Sequence, residues 1–250
     1  MLTKDDIIFD VNGIFMEQHC KNKDQIITSI CDLANNLIEK LNITSLRKIT
    51  IKDINLFDSE LGKAVFSFNR TGLVSEILLT YTTAIRLEKE SQFYTEAKFS
   101  YAYATLCHEF YHIYDREQLQ RFSSIFLSTG QDTSVYISAG LKIWTEFFAV
   151  YSTFEICEQS HIYDDFEKAF GDWPLKAHKL SYNISRILGY HMQRNHDNRC
   201  NVLLNQLNAK CVSSVTCLLS EMLEKYPAIT ANDLIKLKEQ IDCLIPICAI

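Results

Sequence analysis

The run His108-Glu109-Phe110-Tyr111-His112 constrains this chain more than any other feature. On a helix, residues four apart stand one turn above each other, so His108 and His112 present two imidazoles on one face with Glu109 beside them. Neutral imidazole nitrogens at that spacing suit a divalent metal. A hydrolytic zinc site keeps three protein ligands and leaves a fourth position for water. The surroundings favour a helix: residues 96–106 lack Gly and Pro, and Phe99, Ala102, Tyr103, Leu106, Phe110 and Ile113 recur at three-four spacing as one apolar stripe. That helix is expected to run through the motif to about Leu119. The plainer alternative is a surface or core helix whose histidines only hydrogen-bond.

A third ligand has two claimants. Glu146, in Ile143-Trp144-Thr145-Glu146-Phe147-Phe148-Ala149, lies within a long apolar segment read as a second helix over residues 133–157. Asp132 follows Gly130 and precedes that segment, which suits a helix N-cap better than a ligand, so Glu146 is preferred. A third histidine soon after His112 would mark a different zinc class, but Asp115 and Gln118 stand there. Zinc held by His108, His112 and Glu146 would activate a water, with Glu109 as the base that takes its proton. Asp115, Tyr182 and His191 have the side-chain types that orient a ligand or stabilise developing charge, as do Arg186 and Tyr190; for each of these an ordinary polar role is the alternative.

His108-Glu109-x-x-His112 followed by Glu146 resembles the gluzincin class of zinc metallopeptidases. Glu146-x-x-Ala149, with Phe148 between and Glu76-Ile77-Leu78-Leu79 upstream, is more remotely similar to ImmA/IrrE-type endopeptidases, over about residues 63–155. The resemblance implies an α+β, zincin-like core, a bound Zn2+ and a peptide or protein substrate.

Composition narrows the setting. Hydrophobic residues make up 47% and charged residues 22% of the 250, as in an ordinary globule. No run reaches the twenty apolar residues of a membrane span, and the first residues lack a signal-peptide pattern, so a cytoplasmic address without a membrane partner is expected. A net charge of −6 without a Lys/Arg cluster argues against a nucleic-acid partner. Nine cysteines at irregular spacing read as free thiols, with Cys107 a small core residue.

In order, Asn12-Gly13 between apolar runs suggests a hairpin, with a short frayed helix as the alternative, and residues 24–41 an amphipathic helix with Asp24 as its cap. Residues 47–54, 63–69 and 73–83 read as strands of a small, mostly antiparallel sheet, in which Thr80 to Thr83 lie either at an exposed edge that an extended substrate could pair with or in an interior strand with no substrate role. Residues 121–131 are placed as a lip over the groove, or as ordinary packing. Three further helices are expected at 174–191, 198–226 and 231–244. The expected organisation is a metallopeptidase-like core at 1–160 and a helical subdomain at 161–250. Besides an endopeptidase, two readings stay open: a non-catalytic zincin-like module with a structural metal, and a helical interaction protein with a fortuitous motif.

Overall fold

A computed structural model describes residues 1–11, 23–52, 61–70, 72–90, 94–122, 132–156, 180–193, 204, 207 and 209–244, with side chains at all of these except 132, 133, 154–156, 180–182 and 209. The fold is α+β: among the described residues are seven α-helices and one four-stranded mixed sheet. Two compact units divide the chain, Met1–Glu117 with Ile156–Gln159, and Gln118–Glu155 with Ser160–Ile250.

The first unit holds the sheet. Its strands are β1 (Ile7–Asp10), β2 (Leu46–Lys52), β3 (Gly62–Asn69) and β4 (Gly72–Thr80), arranged β1-β2-β4-β3. Helix α1 (Lys23–Leu41) joins β1 to β2. The mostly antiparallel expectation is therefore corrected: β1 pairs with β2 and β2 with β4 in parallel, and only the β3–β4 pair is antiparallel. A helical crossover returns the chain in the same direction, whereas only the tight β3–β4 turn reverses it. Ile7 to Asp10 lie beside β2, and the Asn12-Gly13 turn falls outside the described residues.

Alternation places Ile77 and Leu79 of β4 beside Ile49 and Ile51 of β2, all fully buried. On the opposite face Glu76 accepts from the Thr50 hydroxyl and pairs with Lys48 at 3.1 Å. Helix α2 (Tyr81–Arg86) begins where β4 stops, because the Thr80 hydroxyl accepts from the Thr83 amide and caps it. That cap overrules the strand preference of the Thr-rich run, and β4 is an interior strand. The sheet's edges are β1 and β3, so of the two readings of Thr80 to Thr83 the exposed edge is corrected and the interior strand holds, as far as Thr80.

Helix α3 (Glu96–Gln118) carries the pentapeptide. Ala102, Leu106, Phe110 and Ile113 share one core with Ile26, Ile30 and Leu37 of α1 and with the sheet's apolar face. Each large side chain buried this way contributes roughly 1.5–3 kcal/mol. At its far end Glu117 Oε1 accepts from the amides of Thr44 (2.9 Å) and Ser45 (2.6 Å), fastening α3 to the approach to β2. Asp24 lies in the first turn of α1.

The second unit is helical, built from α4 (Asp132–Ile156), α5 (Leu180–Gln193), α6 (Ala209–Lys225) and α7 (Ala231–Leu244). Ile143, Trp144, Phe147, Phe148, Ala149 and Val150 make α4 apolar around nearly its whole circumference, and all are buried, as a central helix requires. Trp144 stacks with Phe148, which in turn stacks on Tyr226 at 4.6 Å. Thr230 and Asp233 bond each other's backbone amides and so cap α7. The 121–131 lip lies outside the described residues from residue 123 onward, as do Pro174 and residues 198–203.

Gly140 lets α7 meet α4 at backbone distance: a Cβ there would stand 2.0 Å from the Leu234 carbonyl oxygen. Gly140→Ala is expected to destabilise the protein by about 1–3 kcal/mol or more, because two helix backbones must part. Urea unfolding with a wild-type midpoint would show that these helices are not in contact.

Candidate metal centre

His108 and His112 stand one turn apart on α3 with their Nε2 atoms 2.9 Å apart and their rings nearly perpendicular, at 87°. Two such nitrogens cannot both carry a hydrogen at this distance. Either one donates to the other, or both lone pairs serve a shared cation. On a tetrahedral zinc with bonds of about 2.0–2.1 Å, two nitrogens would stand roughly 3.3 Å apart, so the pair needs to open by only a few tenths of an ångström.

Glu109 is buried on the same helix, and its carboxylate is held from the sheet. Oε2 accepts from the Ala64 amide of edge strand β3 at 2.6 Å. Gly62, at the start of that strand, makes room. A Cβ there would lie 3.1 Å from Glu109 Cγ, 3.1 Å from Thr105 Cγ2 and 3.3 Å from Glu109 Oε1. The strand is itself fixed at this end, where the Leu61 carbonyl accepts from the Thr80 amide and the Thr83 hydroxyl.

Glu146 is 4% exposed, and its Oε1 lies 3.4 Å from Nε of the half-buried Arg186 on α5. Gly189, one turn on, allows α5 this close, since a Cβ there would come within 2.8 Å of the Phe147 carbonyl oxygen on α4. The ligand atoms of His108, His112 and Glu146 all lie within 4.8 Å of one another, and the three could hold a metal ion. Two imidazoles and a buried carboxylate are a donor set that zinc accepts. Which metal they hold is not fixed by the donors alone.

Asp115 is buried within α3 next to Arg116, whose guanidinium lies 4.9 Å from the centre of the Phe66 ring on β3. Burial pushes the Arg116 pKa down, and the Asp115 charge opposes that shift. The side chains of Tyr182 and Asp132 fall outside the described residues. His191, in the last turn of α5, lines a cavity of about 550 Å³ with Tyr151, Thr216 and Glu224; none of His108, Glu109, His112 and Glu146 lines it. Burial lowers the His191 pKa, and its Nδ1 has no hydrogen-bond partner among the described residues.

Sequence reasoning passed over Gly62 and the Ala64 amide. A glycine opening a strand reads as turn chemistry, and a backbone donor has no signature in residue type. No protein-family model, curated protein or solved structure matches the chain.

Removing the acceptor should expose the edge amide. In Glu109→Ala, hydrogen exchange at the Ala64 amide is expected to rise about tenfold or more by NMR, with Ile77 on β4 unchanged. Gly62→Ala should move it in the same direction. Unchanged exchange at Ala64 in both variants would show that Glu109 does not hold the strand.

Proposed function

We propose that the chain is a zinc-dependent peptidase of the gluzincin kind, acting as an endopeptidase on a peptide or protein substrate. The observation that carries this reading is the His108–His112 nitrogen pair with Glu146 in reach and a buried glutamate, Glu109, directly after the first histidine. A purely structural metal site needs no base beside the metal.

In this reading His108 and His112 supply the imidazole ligands and Glu146 the carboxylate ligand. Bound zinc would lower the pKa of a water and polarise the scissile carbonyl. Glu109 has Oε2 engaged by the Ala64 amide, which leaves Oε1 to receive the proton of the attacking water and pass it to the departing amine. The Ala64 bond limits the rotamers of that carboxylate, so the base is positioned before substrate arrives. Arg186 pairs with Glu146 at 3.4 Å, which makes it the first choice for an orienting or charge-stabilising role. A reducing, cytoplasmic setting belongs to the same proposal, on the strength of nine cysteines at irregular spacing.

Elemental analysis of the purified protein is expected to give one zinc per chain, lost or strongly reduced in His112→Ala and Glu146→Ala. Glu109→Gln should keep the metal while cleavage of a proteome-derived peptide mixture, read by mass spectrometry, falls about 10²–10⁴-fold. Cleavage at the wild-type rate in Glu109→Gln would remove the proposed base. Stoichiometric metal without cleavage in any form would favour the binding-module reading. Absence of metal from the wild type would leave only a helical interaction protein.

A further inference from the structure

The sheet-bearing unit has a cavity of about 460 Å³, far removed in chemistry from the histidine pair. It lies among Asp24, Asp32 and Leu33 of α1, the Leu87 and Glu88 turn that follows α2, and Phe99 of α3. Glu88 is 2% exposed. Its Oε1 accepts from the Glu90 amide at 2.6 Å, whereas Oε2 is buried with no hydrogen-bond partner among the described residues. A buried carboxylate oxygen without a donor is costly, and an incoming donor removes that cost.

The other lining groups say what kind of donor fits. Asp24, Asp32 and Glu90 add three exposed carboxylates, against the single ammonium of Lys89. Leu33, Leu87 and Phe99 supply apolar surface between them. A metal ion is a poor match, because among the described residues the one group of side chains whose ligand atoms converge as a metal needs is His108, His112 and Glu146. Dispersed negative charge over an aliphatic and aromatic floor instead suits a cation carried on a hydrocarbon stem. Lys89 already does this in miniature, its Nζ 4.8 Å from the centre of the Phe99 ring.

We propose that this cavity binds an alkylammonium group, the ammonium donating toward Glu88 Oε2 within the field of Asp24, Asp32 and Glu90, and the stem lying on Leu33, Leu87 and Phe99. The same chemistry is offered by a lysine side chain of a peptide and by a free polyamine. The proposal goes beyond the peptidase reading and stands whether or not that reading does.

Calorimetric titration of the full chain at low salt, with spermidine, a Gly-Lys-Gly-Lys peptide and the same peptide acetylated on its amines, tests it. At least one of the first two is expected to bind and the acetylated peptide not to. Spermidine alone binding assigns the free polyamine, and the peptide alone binding assigns the lysine side chain. Glu88→Gln is expected to weaken binding about tenfold or more and Asp32→Asn several-fold, with unchanged circular dichroism. Asp32 is exposed, so its variant carries the test if Glu88→Gln does not fold. Failure of both amine probes, equal binding of the acetylated peptide, wild-type affinity in the variants, or displacement of the probe by equimolar Mg2+ would each overturn the proposal.

Discussion

Two imidazole nitrogens 2.9 Å apart on one helical turn set the terms for the rest of this protein. Such a pair is tolerable only with one proton between the rings or a cation that takes both lone pairs, so its surroundings must hold the rings in register. Helix α3 does this by having its other side committed. Leu106, Phe110 and Ile113 lock it to the sheet and α1, and Glu117 ties its end to Thr44 and Ser45. A helix held along its length and at one end has little freedom to rotate, and the histidines inherit that rigidity.

Three carboxylates, Glu109, Glu146 and Glu117, each meet a partner suited to its place. Glu109 meets a backbone amide on an edge strand, Glu146 a guanidinium from a neighbouring helix, and Glu117 two amides at the start of a strand. Burying an acid without such a partner would cost several kcal/mol. The differences in partner carry chemical meaning. An amide restrains one oxygen and leaves the other available for a proton, while an arginine adds charge that orients a ligand. Glu88 Oε2 is buried with no hydrogen-bond partner among the described residues, which is why its cavity stands out from ordinary surface acidity.

Much of the architecture was readable from letters. The span of the motif helix, the helix at residues 231–244 and the strand at 63–69 appear within a residue of expectation, because long runs with a clean period leave few alternatives. Strand direction was not readable. Alternation in Lys48-Ile49-Thr50-Ile51-Lys52 says that a strand is half-buried but not which way its neighbour runs, and here a helical crossover makes it parallel. The Thr80 to Thr83 run misled for a related reason: β-branched residues favour strands on average, but a threonine hydroxyl at the right amide begins a helix.

The sequence by itself determined that two histidines and a glutamate share one helix, that a second buried helix carries Glu146, and that the chain has apolar faces enough to bury both. Those properties follow from period and residue type, which act over a few positions. Only the tertiary structure decided that Glu109 rests on Gly62 and the Ala64 amide, that Arg186 reaches Glu146, and that Glu88 keeps an unanswered oxygen. Contacts between residues about forty positions apart depend on how whole elements pack, and the local sequence pattern does not encode that packing.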